Sequence, residues 1–327
     1  MDFLNKFDRQ KLQKITLLVI AALTLIALVL LLVIIIASVE GGSPNNNIND
    51  PAETFEEPTI EPTEDLIFTT ASVTDAQLSR GSLLLVNSNH KYDIPADLNL
   101  VNCYDYRQQN KGEASESYNL IDRSPRLEAN AMEHAHNMLM DLGNATGNHS
   151  IMISSAFRTY EDQAGKEIAQ GHSDHHTGLL LSLTVTGGAS PYLSHESNEA
   201  LNTWLNDNAH KYGFVVRYPE NKVESTGVSD YTNAFRYVGV AHSTYMKEHD
   251  LSLEEYVAYL KENTSPDKCL KLTAADGNNY AIYYVSCASG SEIKVPEQTA
   301  NPNGSTSNPY TVSGTNEGGV IITVTLN

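Results

Sequence analysis

The sequence predicts an α+β domain placed between an N-terminal membrane anchor and a small C-terminal β appendage. Residues 15–39 are uncharged and mostly aliphatic over 25 consecutive positions. From Leu66 to Glu262, short β-branched runs alternate with segments of helical periodicity, which is typical of mixed α and β structure. Residues 263–327 contain several alternating, β-branched runs separated by turn signals, which predicts a separate all-β unit.

The apolar segment Ile15–Val39 is long enough to cross a bilayer, because about 20 apolar residues span the hydrocarbon core. A cleavable signal peptide has a shorter apolar region of about 7–15 residues. Every Lys and Arg before Arg80 lies in residues 1–14. The positive-inside rule therefore predicts a single-pass protein of the cell membrane, with a cytoplasmic N-terminus and the bulk of the chain extracellular.

Residues 40–65 contain GGSPNNN, several prolines and a run of Glu, which predicts an extended, self-repelling linker without a core. Beyond it, Gly81–Asn87 (GSLLLVN) is an apolar run that predicts a strand. Ser124-Pro125 predicts the start of a helix, and Gly143 its end. Ser252, followed three residues later by Glu255, predicts a capping box that opens a second helix.

In the predicted appendage, Asp276-Gly277 lies between two alternating runs and predicts a hairpin turn. Cys269 and Cys287 flank this hairpin; a disulfide between them and two separate thiols are both compatible with the sequence, while Cys103 has no obvious mate. The formal net charge of −19 argues against a nucleic-acid partner, because phosphate binding requires clustered cations.

Four segments between Ser154 and Gly239 contain the side chains that a peptidase would use. They read SSAFRTYEDQ (154–163), GHSDHHTGLLLSL (171–183), WLNDNAHKYGFVVRYP (204–219) and TNAFRYVG (232–239). In order and wording they resemble the VanY-type D-alanyl-D-alanine carboxypeptidases, zinc enzymes that trim the stem peptides of the bacterial cell wall. The family motifs run S-G-Y-R-S-Y-x-x-Q, S-x-H-x-x-G-x-A-x-D, W-L-x-x-N-A-x-x-Y-G-F-x-x-R-Y-P and E-P-W-H-F-R-Y-V-G. The resemblance implies a VanY-like domain over residues 66–262.

The resemblance also implies a zinc ion with three protein ligands and one open position, which is the arrangement of catalytic zinc. In the family, the ligands are the His and Asp of the second motif and the His of the fourth, whose Glu is the general base. Of these four positions only His175 is kept here. The positions of the Asp, the Glu and the second His carry Ser182, Tyr231 and Ala234.

Residues that persist from the motifs predict a binding site. Arg158 matches the family Arg that binds the terminal carboxylate of the peptide, for which the planar guanidinium is suited. Gln163, Ser173 and His175 match other positions of the same motifs. A purely structural role for Arg158, bonded to backbone carbonyls, is the alternative.

We therefore expect a membrane-anchored pseudoenzyme without a cofactor, which binds cell-wall stem peptide or an envelope protein in place of catalysis. One alternative is an active carboxypeptidase in peptidoglycan trimming, with a zinc site rebuilt from Asp230 or from the cluster His172–His176. Another is a structural component of an extracellular envelope assembly. The sequence names neither the partner nor the oligomeric state.

Overall fold

The computed structural model describes residues 59–62, 66–110, 118–229, 231–299 and 306–326. The predicted membrane segment, residues 15–39, and the predicted cytoplasmic residues 1–14 lie outside these ranges. Within the ranges, none of the helices has the length and apolarity needed to cross a membrane.

The strands of the described residues run in chain order, and their bounds are as follows: β1 (Thr59–Pro62), β2 (Phe68–Ser72), β3 (Leu100–Asn102), β4 (Asn119–Leu120), β5 (Arg126–Glu128), β6 (Ile151–Ser155), β7 (Leu180–Val185), β8 (Phe214–Val216), β9 (Ala234–Tyr237), β10 (Lys268–Thr273), β11 (Asn279–Ser286), β12 (Glu292–Pro296), β13 (Tyr310–Gly314) and β14 (Gly319–Leu326).

The α-helices of the same ranges are α1 (Asp75–Leu78), α2 (Cys103–Gln109), α3 (Ala129–Thr146), α4 (Tyr160–Gln163), α5 (Glu199–Asn208), α6 (Val223–Thr226), α7 (Val240–Glu248) and α8 (Leu253–Asn263). Short 3-10 helices at Asp174–Thr177, Glu196–Asn198, Ala209–Tyr212 and Glu220–Lys222 connect some of these elements. Mixed α and β structure is therefore confirmed.

The central sheet has the strand order β4-β6-β7-β9-β8, in which β4 and β6 are parallel and the other pairs antiparallel. Along β7, Leu181, Leu183 and Val185 point to a core that includes the buried face of α3. Successive side chains of a strand face opposite ways, so Leu180 and Ser182 point to the other face. That other face carries the candidate site.

Helix α3 begins and ends later than the sequence predicts. Arg126–Glu128 forms a strand, and Glu128 caps the helix by accepting hydrogen bonds from the backbone N–H of Asn130 and Ala131. Gly143 is buried inside the helix, which ends at Thr146 and is capped by Gly147 with a φ of 64°. By contrast, the predicted capping box of Ser252 and Glu255 is confirmed at the start of α8.

The run Gly81–Asn87 was expected as a strand and is irregular backbone instead. Its four apolar residues, 83–86, are at most 2% exposed. The carbonyls of Ser82 and Leu84 accept hydrogen bonds from the Arg236 guanidinium. A buried loop of this kind and a strand give the same apolar run in the sequence, which explains the wrong prediction.

The second large sheet is antiparallel throughout and has the order β1-β10-β11-β14-β13. The predicted hairpin is present between β10 and β11, with Gly277 at a φ of 79°. Strand β1 lies inside the segment expected to be an extended linker, and β2 pairs with β12. Residues before and after the central sheet therefore build the C-terminal β structure together. No disulfide joins Cys269 to Cys287 in the described residues.

Candidate active site

The candidate site lies on a row of side chains that crosses three strands of the central sheet. In the register of the sheet, Ser182 of β7 is the partner of Ser155 on β6 and of Ala234 on β9. Directly opposed residues in antiparallel strands point to the same face. The row therefore carries two hydroxyls and one methyl, and both Ser182 and Ala234 are buried.

His175 approaches this row from the 3-10 helix Asp174–Thr177. The helix ends at Gly178, which has a φ of 73° and lies so close to Leu100 that a Cβ would be 2.7 Å from its side chain. Nδ1 of His175 lies 2.5 Å from the Ala156 carbonyl oxygen, which can only accept. Burial, together with the nearby Arg158 guanidinium, holds the pKa of His175 well below its usual range. The imidazole is therefore neutral. Its proton lies on Nδ1, and Nε2 keeps its lone pair as a hydrogen-bond acceptor.

A buried ion network fixes the position of this 3-10 helix. The Asp174 carboxylate accepts from Nε of Arg217 and lies 3.4 Å from Nη1 of Arg236. Arg217 also binds both carboxylate oxygens of Glu254, at 2.9 and 2.6 Å. The side chains of Asp174, Arg217 and Arg236 are fully buried. The network ties the residue before His175 to the residue that follows β8, to strand β9 and to helix α8.

From His175 a chain of polar contacts leads to Arg158. Nε2 of His175 lies 3.4 Å from Ser182 Oγ, which lies 3.4 Å from the Tyr231 hydroxyl. The Tyr231 oxygen in turn lies 3.5 Å from Nη2 of Arg158. Because Nε2 of His175 carries no proton, the Ser182 hydroxyl donates to it. The Tyr231 hydroxyl donates to Ser182 Oγ and accepts from Nη2 of Arg158. These distances exceed the usual 2.7–3.2 Å of hydrogen bonds, so each contact is weak.

Two further hydrogen bonds orient Arg158. Nε donates to Ser155 Oγ at 2.9 Å, and Nη1 donates to Gln163 Oε1 at 3.1 Å. Gln163 is itself buried and donates from Nε2 to the Ile168 carbonyl at 2.6 Å. Helix α4, which carries Gln163, is a single turn. The guanidinium is therefore held at two of its nitrogens, and among the described residues only the weak contact to Tyr231 occupies the third.

The structure brings together three of the four side chains predicted to bind a ligand: Arg158, Gln163 and His175. Ser173 is buried, and its Oγ has no hydrogen-bond partner among the described residues. Sequence reasoning treated Tyr231 only as the replacement of a lost Glu. Its hydroxyl instead contacts Arg158 and Ser182. The signal for this in the sequence was that a large, polar side chain stands at the position of the family's general base, which belongs to the same site as the family's arginine.

The neighbours of His175 do not face the row. His172 Nδ1 lies 2.7 Å from the Asn87 carbonyl. His176 accepts from the Gly171 N–H at Nε2, and its Nδ1 lies 2.7 Å from the Arg158 carbonyl. The Asp174 carboxylate forms ion pairs with Arg217 and Arg236. The cluster His172–His176, one of the two sources considered for a rebuilt zinc site, is therefore not a set of convergent ligands. The other source, Asp230, lies outside the described residues.

Comparisons with known proteins find a family model, similar sequences and similar structures. The family model described as VanY, D-alanyl-D-alanine carboxypeptidase, matches residues 166–240. A D-alanyl-D-alanine carboxypeptidase of Enterococcus faecium is 32% identical over 264 residues, which cover 77% of this chain and 78% of that protein. The crystal structure of the vancomycin resistance D,D-dipeptidase VanXYg, in complex with a D-Ala-D-Ala phosphinate analog, has a TM-score of 0.63 at 25% identity; it covers 79% of this chain and 99% of that one.

A second solved structure is that of a VanY D,D-pentapeptidase mutant from a VanB-type resistance cassette, in complex with Zn(II). It has a TM-score of 0.40 at 25% identity and covers 54% of this chain and 98% of that one. The names of these proteins point to an enzyme, so the expectation that this chain is not an enzyme is wrong. The expectation that it has no cofactor is likewise contradicted, because the matching family model is that of the D-alanyl-D-alanine carboxypeptidases, the resemblance that implies zinc.

The family implies a zinc ion, whereas the side chains of this site do not supply its three ligands. At the three ligand positions the chain supplies one imidazole, one hydroxyl and one methyl, from His175, Ser182 and Ala234. In the ranges that the structure describes, no group of three or more His, Cys, Asp or Glu side chains is placed to hold a metal ion. This set does not fit a zinc ion held by three protein ligands.

Proposed function

Because the chain belongs to the VanY family of D-alanyl-D-alanine carboxypeptidases, we propose that it acts on cell-wall stem peptides that end in D-alanine, and that Arg158 binds their terminal carboxylate. The observation that supports this role is that Arg158 has no carboxylate partner among the described residues. The side chain is half-buried beside the row Ser155, Ser182 and Ala234, and no Asp or Glu among the described residues forms an ion pair with it.

An arginine without a carboxylate partner is suited to an anionic ligand. Arg217 and Arg236, the two fully buried arginines of this domain, are both placed against the Asp174 carboxylate. Among the described residues, the hydrogen bonds of the Arg158 guanidinium go to neutral oxygens, those of Ser155, Gln163 and Tyr231. A carboxylate adds the Coulomb attraction of opposite charges to the hydrogen bond, which a neutral oxygen does not. A peptide carboxylate therefore gains more from Arg158 than these neutral partners do.

The contact between Tyr231 and Arg158 indicates where the carboxylate binds. At 3.5 Å, the Tyr231 hydroxyl is the weakest of the three contacts of the guanidinium. A ligand oxygen that replaces this hydroxyl on Nη2 leaves the bonds to Ser155 and Gln163 intact. The end of the peptide then lies next to Ser182 and the neutral His175, which offer hydrogen-bond groups to it.

We also propose that residues 15–39 anchor the protein in the cell membrane and that the domain acts on the outer side. Support comes from the length of the apolar segment and from the cations that precede it. Intact cells treated with an external protease test this orientation. Loss of the domain from intact cells is expected, and a domain cleaved only after cell lysis would contradict it.

Release of D-alanine tests the enzymatic part of the proposal. The full chain is incubated with a pentapeptide ending in D-Ala-D-Ala and with added Zn²⁺, and the E. faecium carboxypeptidase serves as the active reference. We expect release that Arg158→Ala reduces strongly. No release by this chain, with the reference active, would contradict hydrolysis of this substrate.

A further inference from the structure

A second cleft, which we call the Tyr237–Tyr280 cleft, lies away from Arg158. It has a volume of about 570 Å³, within the range of about 300–1,000 Å³ that is usual for small-molecule sites. Its lining comes from the starts of α3 and α7, from the end of β9, from β11, β13 and β14, from residues 80–99 and from Thr177 and Leu179. It includes none of Arg158, Gln163, His175 and Tyr231. The floor includes His242, which is 4% exposed, and the rim includes the exposed Asp97.

One wall of the cleft carries threonines. Thr311 and Thr323 are directly opposed in the register of β13 and β14, so their side chains point to the same face. Thr325 follows Thr323 by two residues and shares that face. The hydroxyl of Thr323 lies 3.0 Å from Nε2 of His242. In the part of the chain that the structure describes, no hydrogen bond occupies the hydroxyls of Thr311 and Thr325.

Two tyrosines line the cleft together with these threonines, and each is fixed through its hydroxyl. The Tyr280 hydroxyl donates to the Asp276 carboxylate at 2.7 Å. The Tyr237 hydroxyl accepts from Nδ2 of Asn130 at 3.0 Å. Asn130 lines the cleft as well, and it is exposed. The Tyr237 ring is buried and packs against Phe214 and His134, whereas the Tyr280 ring is partly exposed. Held through its hydroxyl, the Tyr280 ring is presented to a ligand at little cost in side-chain entropy.

The charged residues of the cleft are compensated within the protein. Arg80 forms an ion pair with Asp97 at the rim. The Glu128 carboxylate accepts from the backbone N–H groups of Asn130 and Ala131 at the positive end of α3. Burial lowers the pKa of His242 to about 3, so this side chain is neutral. An anionic or cationic ligand would therefore find no free countercharge among these groups.

We propose that the Tyr237–Tyr280 cleft binds a neutral carbohydrate. Free threonine hydroxyls and the Asn130 side chain match the hydroxyl and amide groups of a sugar, and the partly exposed Tyr280 ring matches a C–H face. An apolar ligand would leave the polar wall unpaired, which is unfavourable. The proposal does not depend on a role for Arg158, because the two sites share no residue.

Calorimetric titration of the full chain with the tetrasaccharide of N-acetylglucosamine tests this proposal. We expect saturable binding that Tyr280→Ala weakens by about tenfold or more, since one aromatic wall is lost. The double variant Thr311→Val and Thr325→Val removes two hydroxyls with little change in shape and is expected to weaken binding by a similar factor. Tyr192→Ala, at a tyrosine that is 69% exposed and outside the cleft, serves as the matched control.

Equal melting temperatures of the variants show that a loss of binding does not come from unfolding. The absence of binding at about 10 mM tetrasaccharide would overturn the proposal. Binding of an end-blocked tetra-alanine peptide in place of the sugar, with the same sensitivity to Tyr280→Ala, would also overturn it and indicate a peptide site. Arg158→Ala is expected to leave sugar binding unchanged. The sugar-binding proposal and the proposed role of Arg158 can therefore fail independently of each other.

Discussion

The hydroxyl of Tyr231 lies 3.5 Å from Nη2 of Arg158, although the two residues are 73 positions apart in the chain. Its oxygen also lies 3.4 Å from Ser182 Oγ. Tyr231 stands at the position where the family has its general base, and here it contacts the arginine proposed to bind the peptide carboxylate. We therefore expect the affinity of the site for a peptide carboxylate to depend on the competition between this hydroxyl and the ligand.

Tyr231→Phe removes the competing hydroxyl and keeps the ring. Because a carboxylate then binds Nη2 without displacing it, we expect affinity for a peptide ending in D-Ala-D-Ala to rise by about two- to tenfold, the range of one net hydrogen bond. Titration calorimetry measures the change, with Tyr192→Phe as the control. Weaker binding would show that the hydroxyl contacts the ligand rather than competing with it.

Gln163→Glu places a carboxylate against Nη1 of Arg158, where the amide oxygen now accepts. The new ion pair competes with the peptide carboxylate, and we expect affinity to fall by about tenfold or more. Gln170→Glu is the matched control, because Gln170 is exposed and bonded to the Tyr160 carbonyl. Unchanged affinity of the Gln163 variant would remove Arg158 from the binding site.

Asp174→Ala leaves the Arg236 guanidinium buried without a carboxylate partner. Breaking a buried pair in this way lowers the free energy of unfolding by about 3–5 kcal/mol. Asp97→Ala removes the partner of Arg80 at an exposed site, for which about 0–1 kcal/mol is expected. Urea denaturation compares the two variants. Equal losses would contradict the structural role given to the Asp174 network.

The unfolding free energy is expected to fall as the pH is lowered from about 6.5 towards 3. His242 is fully buried and neutral when folded, with a pKa lowered to about 3, whereas the unfolded side chain binds a proton below about pH 6.5. Its contribution is complete above pH 6.5 and is lost at up to about 1.4 kcal/mol per pH unit below it. Urea denaturation across this range, with His242→Gln against His149→Gln at an exposed site, measures the slope. The same slope in both variants would contradict this assignment.

Local signals in the sequence predicted local structure well. The capping box of Ser252 and the hairpin at Asp276-Gly277 each depend on residues that are neighbours in the chain, and both are confirmed. Motif spacing also brought Arg158, Gln163 and His175 to one site. The family resemblance supplied this result, because periodicity alone does not place a loop arginine beside a histidine 17 residues later.

Long-range contacts account for what the sequence did not predict. Strand β1 forms only because Lys268–Lys271 pairs with it more than 200 residues later, and the composition of residues 40–65 carries no sign of this partner. The buried loop 83–86 is stabilised by Arg236 and by Ser313, whose Oγ accepts from the Leu83 N–H. Lost ligand positions predicted a non-enzyme, and the family comparisons contradict that inference.

The most direct test of the account is the dependence of binding on the peptide carboxylate and on Arg158. A pentapeptide ending in D-Ala-D-Ala and the same peptide with a C-terminal carboxamide are titrated into the full chain and into Arg158→Lys. We expect the free acid to bind at least about tenfold more tightly than the carboxamide, and Arg158→Lys to lose most of this difference, because lysine lacks the planar fork of donors. Equal binding of acid and carboxamide, or an unchanged preference in Arg158→Lys, would contradict the proposed role of Arg158.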